Sequence, residues 1–302
     1  MQGAAAEPLQ AWADYFRDLG IHDFYRRGES VFAAGGAAQE AEVGPASASH
    51  APVESYVAMP ELEAPVTAKP AASLSAGLMG PEIAKLVSFD NLAPRPAGSI
   101  PVEERAAALQ AISEEIGDCT RCPLAYAGRR RIVFGDGSPS ARLMFVGEGP
   151  GADEDAQGVP FVGKAGQLLN NMIAAMGLQR GEVYIANIVK CRPPNNRVPE
   201  PVEANTCSQF LLRQIDVVQP EVIVALGATA ATYLLGVKQS LSSLRGRWHS
   251  CRGAKLAVTY HPAYLLRDPN QKGEAWKDLQ RVMGELGLKP PARKQTHSDL
   301  GT

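Results

Sequence analysis

Four short runs of residues, Leu143–Gly147, Val183–Val189, Val222–Gly227 and Leu256–Tyr260, are almost wholly apolar and too brief for helices. Such runs are expected of strands covered on both faces. Between and around them, apolar positions recur at helical spacing over Glu104–Ile116, Gly166–Met176, Pro201–Val218, Ala228–Leu235 and Trp276–Leu286. Strands alternating with helices predict an α/β fold, a three-layer α/β/α arrangement with a central four-stranded, mainly parallel sheet. In that architecture ligands sit beyond the carboxyl ends of the strands, so the residues following each strand are where chemistry is expected.

Upstream of Glu103 the pattern is different. Trp12, Tyr15, Phe16, Leu19, Ile21, Phe24 and Tyr25 keep partial i, i+3, i+4 spacing, which predicts a short amphipathic helical segment within 1–30 whose aromatic face suits a docking partner, its own domain or another protein. From Ala33 to Gly80, Ala, Pro, Gly and Ser fill 29 of 48 positions without any apolar period. A segment like that buries too little to offset its ordering entropy. The predicted organisation is therefore the helical segment at 1–30, a disordered linker at 31–102, a folded domain at 103–288 and a flexible tail at 289–302.

Charge divides at the same place. Residues 1–104 hold 6 Lys/Arg against 14 Asp/Glu, while 105–302 hold 24 against 18, so a net charge of −2 conceals a basic domain behind an acidic leader. A basic domain points to an anionic partner, nucleic acid above all. No apolar run reaches the ~18 residues of a membrane span. The first residues lack a basic start followed by an apolar block, so a cytoplasmic protein without disulfides is expected.

Five cysteines then read as metal chemistry. Cys119 and Cys122 form a C-x2-C pair ahead of the first strand, and Cys191 and Cys207 follow the second. Four thiolates complete a closed site for zinc or for a four-iron cluster. The wide spacing of the last two ligands is unlike a zinc ribbon and leans to iron–sulfur; Cys251 stands apart as a non-ligand.

The first strand ends in Gly147-Glu148-Gly149-Pro150-Gly151, followed by Asp153-Glu154-Asp155 and by Pro160-Phe161-Val162-Gly163-Lys164-Ala165-Gly166. The glycine spacing is not G-x-G-x-x-G, and the run of acids would repel a pyrophosphate, so a dinucleotide cofactor is discounted. The second strand ends in Asn187-Ile188-Val189-Lys190-Cys191-Arg192-Pro193-Pro194, and the fourth in His261-Pro262-Ala263-Tyr264-Leu265-Leu266-Arg267. Three strand ends thus bring together a carboxylate, a carboxamide and an imidazole.

These motifs, with four cysteines among them, closely resemble the family 4 uracil-DNA glycosylases over residues 105–285. The resemblance implies a [4Fe-4S] cluster on Cys119, Cys122, Cys191 and Cys207. It also implies a monofunctional glycosylase that flips uracil out of single- and double-stranded DNA and leaves an abasic site without cutting the strand. The runner-up is a superfamily member that binds uracil-DNA, or a cluster-bearing interaction module, without efficient excision.

The chemistry such an enzyme needs can be assigned to residue types. Extruding a nucleotide costs a few kcal/mol, after which its edge must be read. A carboxamide such as Asn187 accepts from uracil N3–H and donates to O4, a pattern cytosine reverses. Phe161 is the candidate stacking ring, with Gly147 and Gly149 allowing close backbone approach. His261 is placed to donate to O2 as the uracil anion forms. Of the carboxylates, Glu148 is expected to orient and Glu154 to act on the water side. Arg129, Arg130, Arg131 and Arg267, with Arg245 and Arg247, are the candidate phosphate contacts, and Tyr264, Leu265 and Leu266 are expected to include the wedge that fills the vacated stack. A monomer is expected.

Overall fold

The computed structural model describes residues 86–289. The helical segment at 1–30, the linker as far as residue 85 and the tail beyond Lys289 lie outside the described residues. Helices α1 (Phe89–Leu92) and α2 (Val102–Ile116) lead to β1 (Asp136–Gly137) and β2 (Leu143–Gly147). Then α3 (Ala152–Gln157) and α4 (Lys164–Ala175) carry the chain to β3 (Tyr184–Asn187), and α5 (Pro201–Val218) to β4 (Val222–Leu226). After α6 (Ala228–Leu235) and α7 (Leu241–Leu244) come β5 (His249–Cys251), β6 (Ala254–Thr259), α8 (Pro262–Arg267) and α9 (Lys272–Leu286).

The sheet order is β1-β3-β2-β4-β6-β5. The four inner strands are parallel, as their apolar runs predict, and the two edges are antiparallel additions. Those edges, two and three residues long, are too short to carry a hydrophobic period, which is why the pattern predicted only four strands. From β2 the chain winds first to β3 and then back past it to β4. The crevice at this reversal lies at the carboxyl ends of the central strands.

Side chains alternate across the sheet. Leu143, Phe145, Ile185, Val222 and Val224 share one face with Leu169, Ile173, Val282 and Met283 of α4 and α9. The alternate positions Met144, Val146, Ala186, Ile223 and Ala225 are just as completely buried, with α5 and α6 covering them. Burial on both sides is what made the strands read as unbroken apolar runs. Among the described residues no helix is long and apolar enough to cross a membrane.

The folded body starts earlier than residue 103. Phe89 is 1% exposed, the Arg252 amide donates to Asp90 Oδ1, and the Arg252 guanidinium donates to the carbonyls of Phe89, Ala93 and Pro94 and to Asp216. The stretch 86–101 therefore belongs to the domain and not to the linker. Its apolar residues follow no helical or strand period, and one buried phenylalanine tied down by a distant arginine gives none to detect.

Candidate active site

A cavity of about 590 Å³ opens beyond the carboxyl ends of the parallel strands, lined among others by Glu148, Phe161, Asn187 and His261. The last residue of β3, Asn187, pairs in register with the last of β2, Gly147. A Cβ built on Gly147 would fall 2.4 Å from Asn187 Oδ1 and 2.6 Å from Phe161 Cζ. Only a glycine lets the amide and the ring meet over that strand end.

Asn187 is 1% exposed, and its Oδ1 has no hydrogen-bond partner. A buried acceptor left unpaired costs about 1–3 kcal/mol, so it marks a place where a ligand donor fits. The backbone at this position is braced from below: Lys190 Nζ donates to the Asn187 carbonyl (3.0 Å) and to Gln214 Oε1 (2.5 Å), and Gln214 Nε2 in turn donates to Tyr184 Oη and the Phe134 carbonyl. Burial pulls the Lys190 ammonium down to about 8. Lys190 was visible in the motif, yet this bracing needed Gln214, 24 residues away on α5.

Phe161 forms both a pocket wall and part of the core. Its φ is +52°, a conformation that costs a side chain on the order of 1–3 kcal/mol and persists only where the surroundings impose it. Those surroundings are explicit. Arg180 donates to the carbonyls of Pro160 (2.6 Å) and Phe161 (3.1 Å), and Glu154 accepts from the amides of Val162 (2.9 Å) and Gly163 (3.0 Å). Gly166 lets α4 press on the same turn, since a Cβ there would lie 1.9 Å from the Phe161 oxygen. Arg180 carries no motif signal; only the fold brings it beneath Phe161.

The Phe161 ring stands 5.6 Å from that of His261, tilted by 35°. His261 is the N-cap of α8, and its Nδ1 accepts from the Ala263 amide (3.1 Å). That bond makes Nε2–H the ring's donor in the neutral tautomer. Burial, assisted by Arg267, pulls the imidazole down to about 4, so it is neutral at physiological pH.

The carboxylates differ in their hydrogen bonding. Glu154 accepts from Gly151, Val162 and Gly163, both oxygens being committed to holding the loop that carries Phe161. Asp155 is buried and accepts from the amides of Arg130 and Arg131. Glu154 nonetheless lines the cavity. Glu148 also lines the cavity, and burial raises its carboxyl against the pull of a Thr229 hydrogen bond.

Three of the expected DNA contacts move into the structure. Arg129 donates to the Cys119 carbonyl, to Cys191 Sγ (3.3 Å) and to Asp118, with its side chain nearly buried. Leu265 is 1% exposed and belongs to the core, whereas its neighbour Leu266 is 43% exposed. Arg245 is likewise enclosed, paired with Asp278 (2.7 Å) and lying over the Tyr260 ring. Arg130, Arg131 and Arg267 remain exposed, and Arg267 lines the cavity together with Arg197 and Val198, which sequence reasoning missed. Arg197 is fastened to the buried Glu203 of α5 by two hydrogen bonds of 2.8 and 2.7 Å.

Cys119, Cys122, Cys191 and Cys207 line one smaller hollow. Three of the sulfurs accept N–H bonds: Cys119 from Arg121 (3.4 Å), Cys191 from Arg129 (3.3 Å) and Cys207 from the Lys190 amide (3.3 Å). Donors aimed at sulfur are the environment of metal-bound thiolates. Among the described residues, no three ligand side chains close around a single-ion position. Burial raises the Cys122 and Cys191 thiols and pushes Cys207 up to about 12. Cys251 lies in β5, away from this set.

Comparison with known proteins agrees with this geometry. The model of the uracil DNA glycosylase superfamily matches residues 134–280. A type-4 uracil-DNA glycosylase of Thermotoga maritima is 48% identical over 179 residues, which cover 59% of this chain and 90% of the relative. Those of Pyrobaculum aerophilum (42% over 184 residues; 58% of this chain, 93% of the relative) and Archaeoglobus fulgidus (41% over 192; 61% and 96%) are similar to it as well. Since these relatives are 41–48% identical and are covered over 90% or more of their own length, the chain belongs to the type-4 uracil-DNA glycosylases.

Proposed function

We propose that this protein excises uracil from single- and double-stranded DNA by hydrolysing the N-glycosidic bond, leaving an abasic site for base excision repair. The observation that carries this reading is the unpartnered Asn187 Oδ1, buried beside Phe161 and His261. Uracil N3–H meets that acceptor while the amide Nδ2–H donates to O4; cytosine offers a bare N3 and an amino group there, leaving both members unpaired. Phe161 stacks on the extruded ring. As the N1–C1′ bond breaks, its electron pair goes to the base, and the His261 Nε2–H donates to the O2 where that charge collects. Glu148 faces the opposite charge on the sugar and takes the proton of the water that adds to C1′.

The test is incubation with oligonucleotides carrying one uracil, followed by alkali. Strand breakage only at uracil supports the reading; intact strands would refute it. Leu266 is assigned to the gap left in the duplex and Leu265 to the core. Leu266→Ala is expected to lose about tenfold more excision from duplex than from single strands. Leu265→Ala should instead lower stability by about 2–5 kcal/mol. Equal losses on both substrates for Leu266→Ala would remove it from the wedge role.

Cys119, Cys122, Cys191 and Cys207 are assigned a [4Fe-4S] cluster. When bound, it supplies a covalent cross-link between the segment before β1, the exit of β3 and α5. Arg197, clamped to Glu203 one turn before Cys207, ties the same assembly to the cavity rim. Metal analysis of protein purified without oxygen is expected to find about four irons per chain, and Cys207→Ala to lose the iron and several degrees of thermal midpoint. Stoichiometric zinc in place of iron would overturn the assignment.

A further inference from the structure

Building on the proposed excision of uracil, we infer that Arg180 is a positioning residue that sets the stacking wall of the base pocket by holding Phe161 in its left-handed conformation. Its guanidinium makes four hydrogen bonds. Nη2 donates to the Pro160 carbonyl (2.6 Å), Nη1 to the carbonyl of Phe161 (3.1 Å) and to Asn170 Oδ1 of α4 (3.0 Å), and Nε to Asp136 Oδ2 of β1 (3.0 Å). Two consecutive carbonyls are thus gripped on one side of Phe161, while Glu154 grips the two following amides on the other.

The grip opposes what the residue would otherwise do. A phenylalanine at φ +52° gains by rotating to negative φ. That rotation would redirect the Phe161 and Pro160 carbonyls and carry the ring away from Gly147 and His261. The planar fork of arginine can hold two adjacent carbonyls, the Asn170 amide oxygen and a carboxylate in one plane; a lysine ammonium, a point charge on a flexible stem, cannot. Arg180 itself does not line the cavity. Its effect on the reaction therefore passes through Phe161, and the short edge strand β1, absent from the hydrophobic pattern, exists at the right place to anchor it through Asp136.

Arg180→Lys is expected to slow single-turnover excision from a single-stranded uracil oligonucleotide about tenfold while leaving affinity for an abasic-site duplex within about twofold. Phe161→Ala should slow excision further, and the double variant Arg180→Lys/Phe161→Ala should be no slower than Phe161→Ala alone, because the ring being positioned is gone. Asp136→Asn, on the half-exposed edge strand, is expected to act in the same direction about threefold and serves if Arg180→Lys does not yield folded protein. Losses that multiply in the double variant, or Arg180→Lys and Asp136→Asn proteins that excise at the wild-type rate, would overturn the inference while leaving the proposed function standing. A wild-type protein that leaves uracil in place would refute both.

Discussion

Replacing Asn187 by alanine is expected to slow uracil excision on the order of 10²–10³-fold without lowering the thermal midpoint. The two halves of this result have different causes. On the proposed reading the carboxamide pairs with both N3–H and O4 of the bound base, where removing one such donor or acceptor costs a few kcal/mol of transition-state stabilisation. In the free protein the Oδ1 is already unpartnered, so deleting it removes a buried polar atom and no hydrogen bond. A residue whose loss harms the reaction and spares the fold is a recognition residue. Asn187→Asp extends the test: a carboxylate accepts from the cytosine amino group and cannot donate to uracil O4. The uracil-to-cytosine ratio of alkali-labile cleavage should fall by about 10²-fold, and an unchanged ratio would remove Asn187 from the reading of the base edge.

His261→Gln is expected to lower the excision rate by about 10²-fold and to change how stability depends on pH. In the folded protein His261 titrates at about 4, against about 6.5 when unfolded. Between those values the unfolded chain binds a proton that the folded chain refuses, so unfolding is favoured as acid is added. The contribution is fully present above pH 6.5 and is lost as pH falls to about 4, amounting to at most about 3 kcal/mol. Urea unfolding at pH 7 and at pH 4.5 is the measurement. The wild type should lose more stability between these two values than His261→Gln does, and equal losses would show that the imidazole titrates normally. The wild-type excision rate should likewise show no acid limb near 6.5 from this residue, because a neutral Nε2–H donor persists well below that pH.

Much of the site was readable because the motifs are contiguous. Gly147, Asn187 and His261 each lie at or just after the end of a parallel strand, and a parallel sheet delivers all such ends to one edge. What went astray did so for local reasons. Leu265 and Leu266 are adjacent and chemically alike, and only the orientation of α8 against the core sends the first inward and the second out. Arg129 stands beside Arg130 and Arg131 in an apparently uniform basic run, yet its guanidinium turns to Cys119 and Cys191. Glu154 looked like a free acid until the loop of Phe161 folded back and presented three amides to it.

Hydrophobic periodicity and the strand-end motifs were enough to specify the layered architecture, the four inner strands and the family, because burial on two faces writes itself into consecutive residues. The folded structure alone assigned Arg180 beneath Phe161, Lys190 beneath Asn187, and segment 86–101 to the domain. Each of those depends on polar contacts between residues far apart in the chain, such as Lys190 with Gln214 or Arg252 with Ala93. Hydrogen bonds of that kind are set by where the backbone arrives in space, and they leave no period along the sequence.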